Sequence, residues 1–462
     1  MTVLDVNQFH GGIDAIREHA VPWIFDSPET YAEQARISLA WRAQRDILHE
    51  RSRWDAENIS AWKLDRLREL VDFAVTHVSL YRSKYTEAGY EVGGLRTWDD
   101  WNALPITSRS DIVDAFPDRG TAAPYDLSDC LRLVSSGSTG RPVEVALEPL
   151  RAEMDQLYKF RMFEHMAGAA LPPDRWVYNI FHANWWVTSQ CGSYPTFTIS
   201  QRAPIAAIIE HLTLLRPSFI SGIASAIERL AQQNVDLAAL GVLAVSTNSE
   251  TSAPSARRQW ARTLGVPVLD EYSSEEAGLL AYECPQNQMH LVEDDTHVDV
   301  VDLDDRGIGE VLTTDLWNRA VPFIRYRQGD QATAPAYLSC VCGVGFRTMG
   351  SLEGRRDEAF FSPVAGRISP GVLLELTDTH LGLDGDITEY RVVQTGPTNI
   401  ELLLVAHGDV DGSADSAVQR FTRALETEFR TALTVDVRRA TEISGSNQRK
   451  RRVLINQWGK TG

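Results

Sequence analysis

Val134-Ser135-Ser136-Gly137-Ser138-Thr139-Gly140-Arg141-Pro142 is the stretch on which the reading of the fold turns. Its two glycines let the backbone turn tightly and aim N–H groups at an anion. The Ser and Thr hydroxyls add donors without bulk, and Arg141 adds a permanent positive charge. Such a loop suits a polyphosphate. The Gly-x4-Gly-Lys-Ser/Thr spacing of a Walker A loop is absent. A Ser/Gly-rich surface linker has the same local composition, so the flanking sequence has to decide.

On both sides, short β-rich runs alternate with helical patterns. The runs are Leu131–Val134, Trp176–Ile180, Gly241–Val245 and Val266–Leu269; Ala226–Gln233 and Ser255–Leu264 read as helices. This alternation over residues 130–280 predicts an α/β domain with a largely parallel sheet. Upstream, a helical start covers about 28–120, with apolar positions recurring every three or four residues in Tyr31–Arg36 and Leu64–Leu70. Ser108-Arg-Ser-Asp111 is a capping signal for one of these helices. Downstream, Thr296–Val301 and Gly309–Thr314 read as strands, joined by a hairpin turn at Asp304-Asp-Arg-Gly307. A last unit holds Tyr390–Gln394, Asn399–Val405, a helix over Ser416–Leu433 and Val435–Arg438. The predicted architecture is an N-terminal domain over 1–353 and an α+β C-terminal domain over 354–462.

Acidic residues outnumber basic ones by 63 to 45 among 462, for a formal net charge of −18. That balance argues against non-specific nucleic-acid binding, which requires a surplus of Lys and Arg. No apolar run approaches the roughly 18 residues of a membrane span. The N-terminal residues read as neither signal nor transit peptide. Five cysteines argue for a reducing, cytoplasmic compartment rather than a disulfide framework. The oligomeric state is not legible; a homodimer is the form considered.

Further segments follow the opening loop in order: Pro217–Ala226, Ser246-Thr-Asn-Ser-Glu250, Tyr272-Ser273-Ser-Glu-Glu276, Ile324-Arg-Tyr-Arg-Gln-Gly-Asp330 and Gly354-Arg355-Arg-Asp357. The ordered array, over roughly 60–455, resembles the ANL superfamily of adenylate-forming enzymes, in its phenylacetate–CoA ligase-like (CapK-like) branch. The resemblance implies a large adenylation domain of parallel sheets, helices and a β-rich subdomain, followed by a small mobile domain. It implies that Ser135, Ser136, Gly137, Ser138, Thr139, Gly140 and Arg141 hold ATP phosphates, with Glu250 and Ser273 in neighbouring nucleotide-binding segments. Tyr272 would stack on adenine, Asp330 would accept from the ribose hydroxyls, and Arg355 would contact ribose or phosphate. Glu276 would hold Mg²⁺, a hard cation suited to carboxylate oxygen. Asp357 would be the hinge for rotation of the C-terminal domain.

Arg141 stands where the family loop usually has lysine, and Glu275 stands where many members have Ser or Thr. In Gln448-Arg449-Lys450-Arg-Arg-Val453, counting back from Val453 puts Arg449 at the position of the family's C-terminal lysine. Lys450 is the candidate shifted by one, and a solvated basic tail is the plainer account of the same cluster.

Cys284-x5-His290 and Cys340-x-Cys342 together offer three thiolates and one imidazole, a four-ligand set for structural zinc. Inert cysteine packing is the alternative, and His297 is a reserve ligand. The aromatic stretch His182-Ala-Asn-Trp185-Trp186 is a candidate wall for an acid pocket. The expected function is ATP-dependent activation of a carboxylic acid, with an aryl acid preferred, to an acyl-adenylate. Transfer to coenzyme A would follow. An amine or hydroxyl acceptor is the nearest alternative, and a degenerate nucleotide-binding scaffold the more distant one.

Overall fold

A computed structural model describes residues 28–135, 142–172, 175–181, 196–382, 387–406, 413–441, 443 and 453–458. The described residues open with long helices, Pro28–Arg51 and Ala56–His77. The break between them is capped by Asp55, whose carboxylate accepts from Asn58 N at 2.9 Å. Thr97 and Ser108 each begin a short helix with a reciprocal capping box, satisfying N–H groups that have no partner within the helix. Ser108 thus plays the capping part read from the sequence.

Among the described residues the central sheet has eight strands, in the order Thr348–Met349, Met289–Leu291, Gly278–Glu283, Val268–Ser274, Ala244–Asn248, Phe219–Ile223, Val177–Phe181 and Thr196–Ser200. The last five are mutually parallel and the first three are added antiparallel. The α/β fold class expected from the alternation is what forms.

Two strand assignments need correction. Leu131–Val134 lies outside the parallel sheet and pairs antiparallel with Glu144–Leu147. The quoted stretch therefore begins at the end of one strand of this hairpin, Val134, and leads in sequence to the other. The strand placed at Gly241–Val245 instead covers Ala244–Asn248. Its polar end is buried because the polar groups satisfy one another. Ser246 Oγ donates to Ser221 Oγ at 2.7 Å, Asn248 Nδ2 donates to the same oxygen at 3.0 Å, and Thr247 Oγ1 donates to Asp270 at 2.8 Å.

A second, antiparallel sheet runs Thr296–Val301, Ile308–Asp315, Tyr326–Thr333 and Leu352–Arg355. Its first hairpin turns where expected: the Asp304 carboxylate accepts from Arg306 N and Ile308 N at 2.9 and 3.0 Å. The third sheet runs Thr434–Arg439, Asn399–Ala406, Ile387–Gln394 and Leu454–Asn456, with helices Pro370–Thr377 and Ser413–Phe429. These elements share a core drawn from residues Phe360 to Leu454, including Leu373, Val392, Leu402, Phe421 and Leu425.

This C-terminal unit touches the central sheet's helix Pro254–Leu264, whose N-cap, Ala253, has no side chain able to cap it. Asp378 does so from across the contact, accepting from Ala253 N at 3.3 Å. Tyr390 O–H donates to the other Asp378 oxygen.

The helical start is clamped to the sheets by a buried ion pair between Lys63 and Glu293, which Arg347 also approaches, at 2.7 Å. Burial alone would raise the Glu293 carboxyl. Lys63 and Arg347 outweigh it and hold the group at about 2. A carboxyl held below its ordinary value stabilises the fold fully above the unfolded value, and that contribution is lost as pH falls towards the folded one. Glu293→Gln should therefore cost about 3 kcal/mol at pH 7. Its deficit against the parent should shrink on acidification from pH 5 to 3. Asp155 and Asp270, pushed up to about 6, act in the opposite sense. Urea midpoints of both proteins compared at each pH isolate Glu293; a deficit that does not change with pH would refute the assignment.

Candidate active site

Three separated segments meet at the junction of the two sheets of the N-terminal region. Tyr272 is on the last parallel strand, Val268–Ser274, and Glu276 is in the turn after it. Asp330 lies on Tyr326–Thr333, and Arg355 ends the adjacent strand Leu352–Arg355 directly opposite it. The Tyr272 hydroxyl donates to Asp330 Oδ2 at 2.7 Å. Arg355 Nε lies 3.6 Å from Asp330 Oδ1, and its Nη2 donates to the Gln328 carbonyl at 3.3 Å.

Gly329 has φ +94°, and a Cβ there would meet nothing within 4 Å. Only its backbone conformation, which L side chains rarely adopt, calls for glycine. Tyr272, Asp330 and Arg355, chosen from sequence, are thus brought together. The Glu276 carboxyl is pushed up by burial, with Arg355 pulling it back and Glu275 and Asp330 adding to the rise. A buried carboxyl short of compensating charge is a fitting ligand for a divalent cation.

The other predicted positions fall as follows. Ser135 closes the hairpin: its N–H donates to the Val143 carbonyl at 2.9 Å and its Oγ accepts from Val143 N at 3.0 Å. Ser136, Gly137, Ser138, Thr139, Gly140, Arg141, Arg449 and Lys450 lie outside the described residues, as do His182, Trp185 and Trp186. Glu250 accepts from Ser225 N at 2.9 Å, at the start of helix Ala224–Ala231. Ser273 donates to Glu271 at 2.9 Å. Asp357 sits in a single 3₁₀ turn, Arg356–Glu358, just past Arg355.

What holds this site from behind is not legible in the sequence. Helix Pro149–Ala167 crosses the sheet with Arg151, Asp155, Lys159 and Arg161 buried. Arg151 donates to Asp315 at 2.6 Å, lies 3.1 Å from Asp295 and 3.5 Å from Asp155, and donates to the Ala277 carbonyl at 3.1 Å. Lys159 pairs with Glu271, the residue before Tyr272. Gly278, at φ +74°, has no room for a Cβ, which would run into the Arg151 guanidinium and come within 2.7 Å of Asp155. Charges inside a helix normally signal a solvated face, so periodicity disguises this helix.

The cysteine–histidine set also converges. Cys284 directly follows the strand Gly278–Glu283 and His290 lies on the returning strand Met289–Leu291; both side chains are buried. Cys340 and Cys342 come from a turn closed by Gly343 N to the Cys340 carbonyl at 3.2 Å. All four ligand atoms lie within 4.8 Å of one another. The Cys284 and Cys340 sulfurs are 3.8 Å apart, and Cys342 Sγ is 3.2 Å from His290 Nε2. A disulfide would need about 2.05 Å. A tetrahedron with Zn–S bonds of about 2.3 Å has an S–S edge of about 3.8 Å, so the donor set fits zinc. His297 is not part of it: its Nε2 pairs with Asp299 at 2.9 Å and its ring stacks on Trp98. The reserve role read from the sequence is corrected accordingly.

No protein-family model matches the chain. It is similar to a phenylacetate–coenzyme A ligase of Thermus thermophilus, 26% identical over 323 residues, or 65% of this chain and 71% of that one. A phenylacetate–coenzyme A ligase of Pseudomonas putida is 25% identical over 347 residues, covering 68% and 75%. In fold it matches 2-hydroxyisobutyryl-CoA ligase in a post-adenylation complex, with TM-score 0.75, 18% identity and coverage of 88% and 91%. Among the described residues, no helix is long and apolar enough to cross a membrane.

Proposed function

We propose that this phenylacetate–CoA ligase-like chain activates a carboxylic acid with ATP and passes the acyl group to coenzyme A. The observation that carries the reading is the meeting of Tyr272, Glu276, Asp330 and Arg355 from three distant segments. The relatives' names supply the acceptor and favour an arylacetic or similar aryl acid.

A substrate carboxylate oxygen attacks the α-phosphorus of ATP, and the bond to the β-phosphate oxygen breaks. Pyrophosphate leaves with the electron pair, and an acyl-adenylate remains. The coenzyme A thiol then attacks the acyl carbon, its proton is lost, and AMP leaves. Neither step needs a covalent enzyme intermediate, so positioning and charge do the work. In this chain Asp330 holds the ribose, the Tyr272 ring meets the base, and Arg355 supplies positive charge. Glu276 would hold Mg²⁺, which offsets charge on the phosphates. Ser135–Arg141 and one of Arg449 or Lys450 are assigned to phosphate. The boundary between domains 1–353 and 354–462 is assigned to Gly354, within the strand Leu352–Arg355, and rotation at Asp357, just past that strand, separates the two half-reactions. The small number of cysteines favours a cytoplasmic setting.

The test is pyrophosphate release with ATP and Mg²⁺ across aryl and aliphatic acids, with and without coenzyme A. Release that needs one acid and rises with coenzyme A supports the reading. Release indifferent to coenzyme A moves the acceptor to an amine or hydroxyl. ATP binding with no release across a broad panel leaves a scaffold.

Cys284, His290, Cys340 and Cys342 are assigned to one structural zinc that ties the turn at 340–343 to the hairpin 278–291. Purified protein should carry about one zinc per chain by elemental analysis, and Cys340→Ser should lose most of it and melt several degrees lower. Metal-free parent protein with an unchanged melting temperature would exclude this role.

A further inference from the structure

Gln328 lies between the candidate nucleotide ligands and is nearly buried. Its Nε2 donates to Asp330 Oδ2 at 2.8 Å and also to the Tyr272 hydroxyl. Asp330 is an acceptor only, so the face of the amide turned towards it has to be the NH₂. On the far side, with the amide so oriented, Gln328 Oε1 accepts from Thr313 Oγ1 at 3.3 Å. Its backbone carbonyl accepts from Arg355 Nη2. One residue therefore touches Tyr272 and Asp330 through its side-chain Nε2 and Arg355 through its backbone carbonyl oxygen.

We propose that Gln328 is a positioning residue that sets the Asp330 carboxylate and the Tyr272 ring in register to read the ribose and base of ATP. The inference rests on the nucleotide-binding reading above. Asp330 has two oxygens. Gln328 and the Tyr272 hydroxyl both occupy Oδ2, which leaves Oδ1 turned towards Arg355 and available to an incoming ribose hydroxyl. With the Gln328 donors removed, the carboxylate is free to turn about its Cβ–Cγ bond and the tyrosine loses one of its two restraints. The loss should fall on recognition of the ribose, because that is what the carboxylate's orientation serves.

The experiment is equilibrium binding of Mg–ATP, 2′-deoxy-ATP and 3′-deoxy-ATP to the full chain, with melting temperatures recorded alongside. Gln328→Met keeps the length and removes both donors; it should weaken ATP binding about tenfold. It should weaken the deoxy analogue that lacks the recognised hydroxyl much less, so that the preference for ATP narrows. Thr313→Val removes only the outer restraint, preserves strand packing, and should move the preference in the same direction by a smaller factor. A purely structural role would lower the melting temperature while leaving the ratio between nucleotides unchanged. Unchanged ratios in both variants, with the parent discriminating normally, overturn the proposal while the nucleotide reading stands. A parent protein that binds none of the three nucleotides overturns both.

Discussion

Replacing Asp330 by alanine should cut acid-dependent pyrophosphate release, at ATP below saturation, by about two to three orders of magnitude. A hydrogen bond from a ribose hydroxyl to this ionised group contributes roughly 1.5–3 kcal/mol. The same substitution removes the acceptor of the Tyr272 hydroxyl and Gln328, and the acid facing Arg355. Its effect therefore spreads to base and phosphate contacts. Asp330→Asn keeps the shape and offers one good acceptor, so it should lose less than alanine. Rate measurements over a range of ATP concentrations should show most of the loss in the apparent KM for ATP. An alanine variant within fivefold of the parent at low ATP would show that Asp330 does not hold the ribose.

Arg151→Met should destabilise the fold by about 3–5 kcal/mol, because it leaves buried carboxylates without their cation. Asp155, Asp295 and Asp315 all face Arg151 and are themselves buried. Even with Arg151 present, burial pushes Asp155 up to about 6 and Asp295 well above the usual carboxylate range. Without the guanidinium these values rise further. Carboxyls whose folded values are raised contribute stability that is present at low pH and lost as pH rises through those values. The variant's deficit should therefore be larger at pH 8 than at pH 5, the opposite of the trend expected for Glu293→Gln. Denaturant midpoints at the two pH values check this. The Ala277 carbonyl also loses its donor, so the turn carrying Glu276 should loosen and activity should fall with stability. A variant as stable as its parent at pH 8 would mean that the carboxylates find compensation elsewhere.

Both substitutions show how unevenly the molecule could be read in advance. Asp330 was legible because its motif is a compact run, Ile324–Asp330, whose order relative to Tyr272 and Arg355 carries information. Gln328 sits inside the same run but is not legible there, since a lone glutamine has no charge or metal affinity to mark it. Arg151 and Lys159 were invisible for another reason. Their partners Asp315, Asp295 and Glu271 are more than a hundred residues away, and charged residues on a helix ordinarily face water. The cysteine–histidine set was legible in its chemistry, and space alone excluded His297, which Asp299 and Trp98 hold elsewhere.

The sequence by itself determined the α/β class, the hairpin at Asp304–Gly307, the C-terminal β-β-α-β unit and the choice of Tyr272, Asp330 and Arg355, which meet at the sheet junction. These are properties of local pattern: periodicity, turn chemistry and motifs a few residues long. Tertiary structure alone decided that Leu131–Val134 leaves the parallel sheet, that Ser246–Asn248 continues a buried strand, that Asp378 caps a helix in another part of the chain, and that a helix lined with buried charge backs the site. Each of those outcomes depends on a polar group finding its partner across a long stretch of chain. The cost of burying a polar group is set by that partner, which no local window of sequence contains.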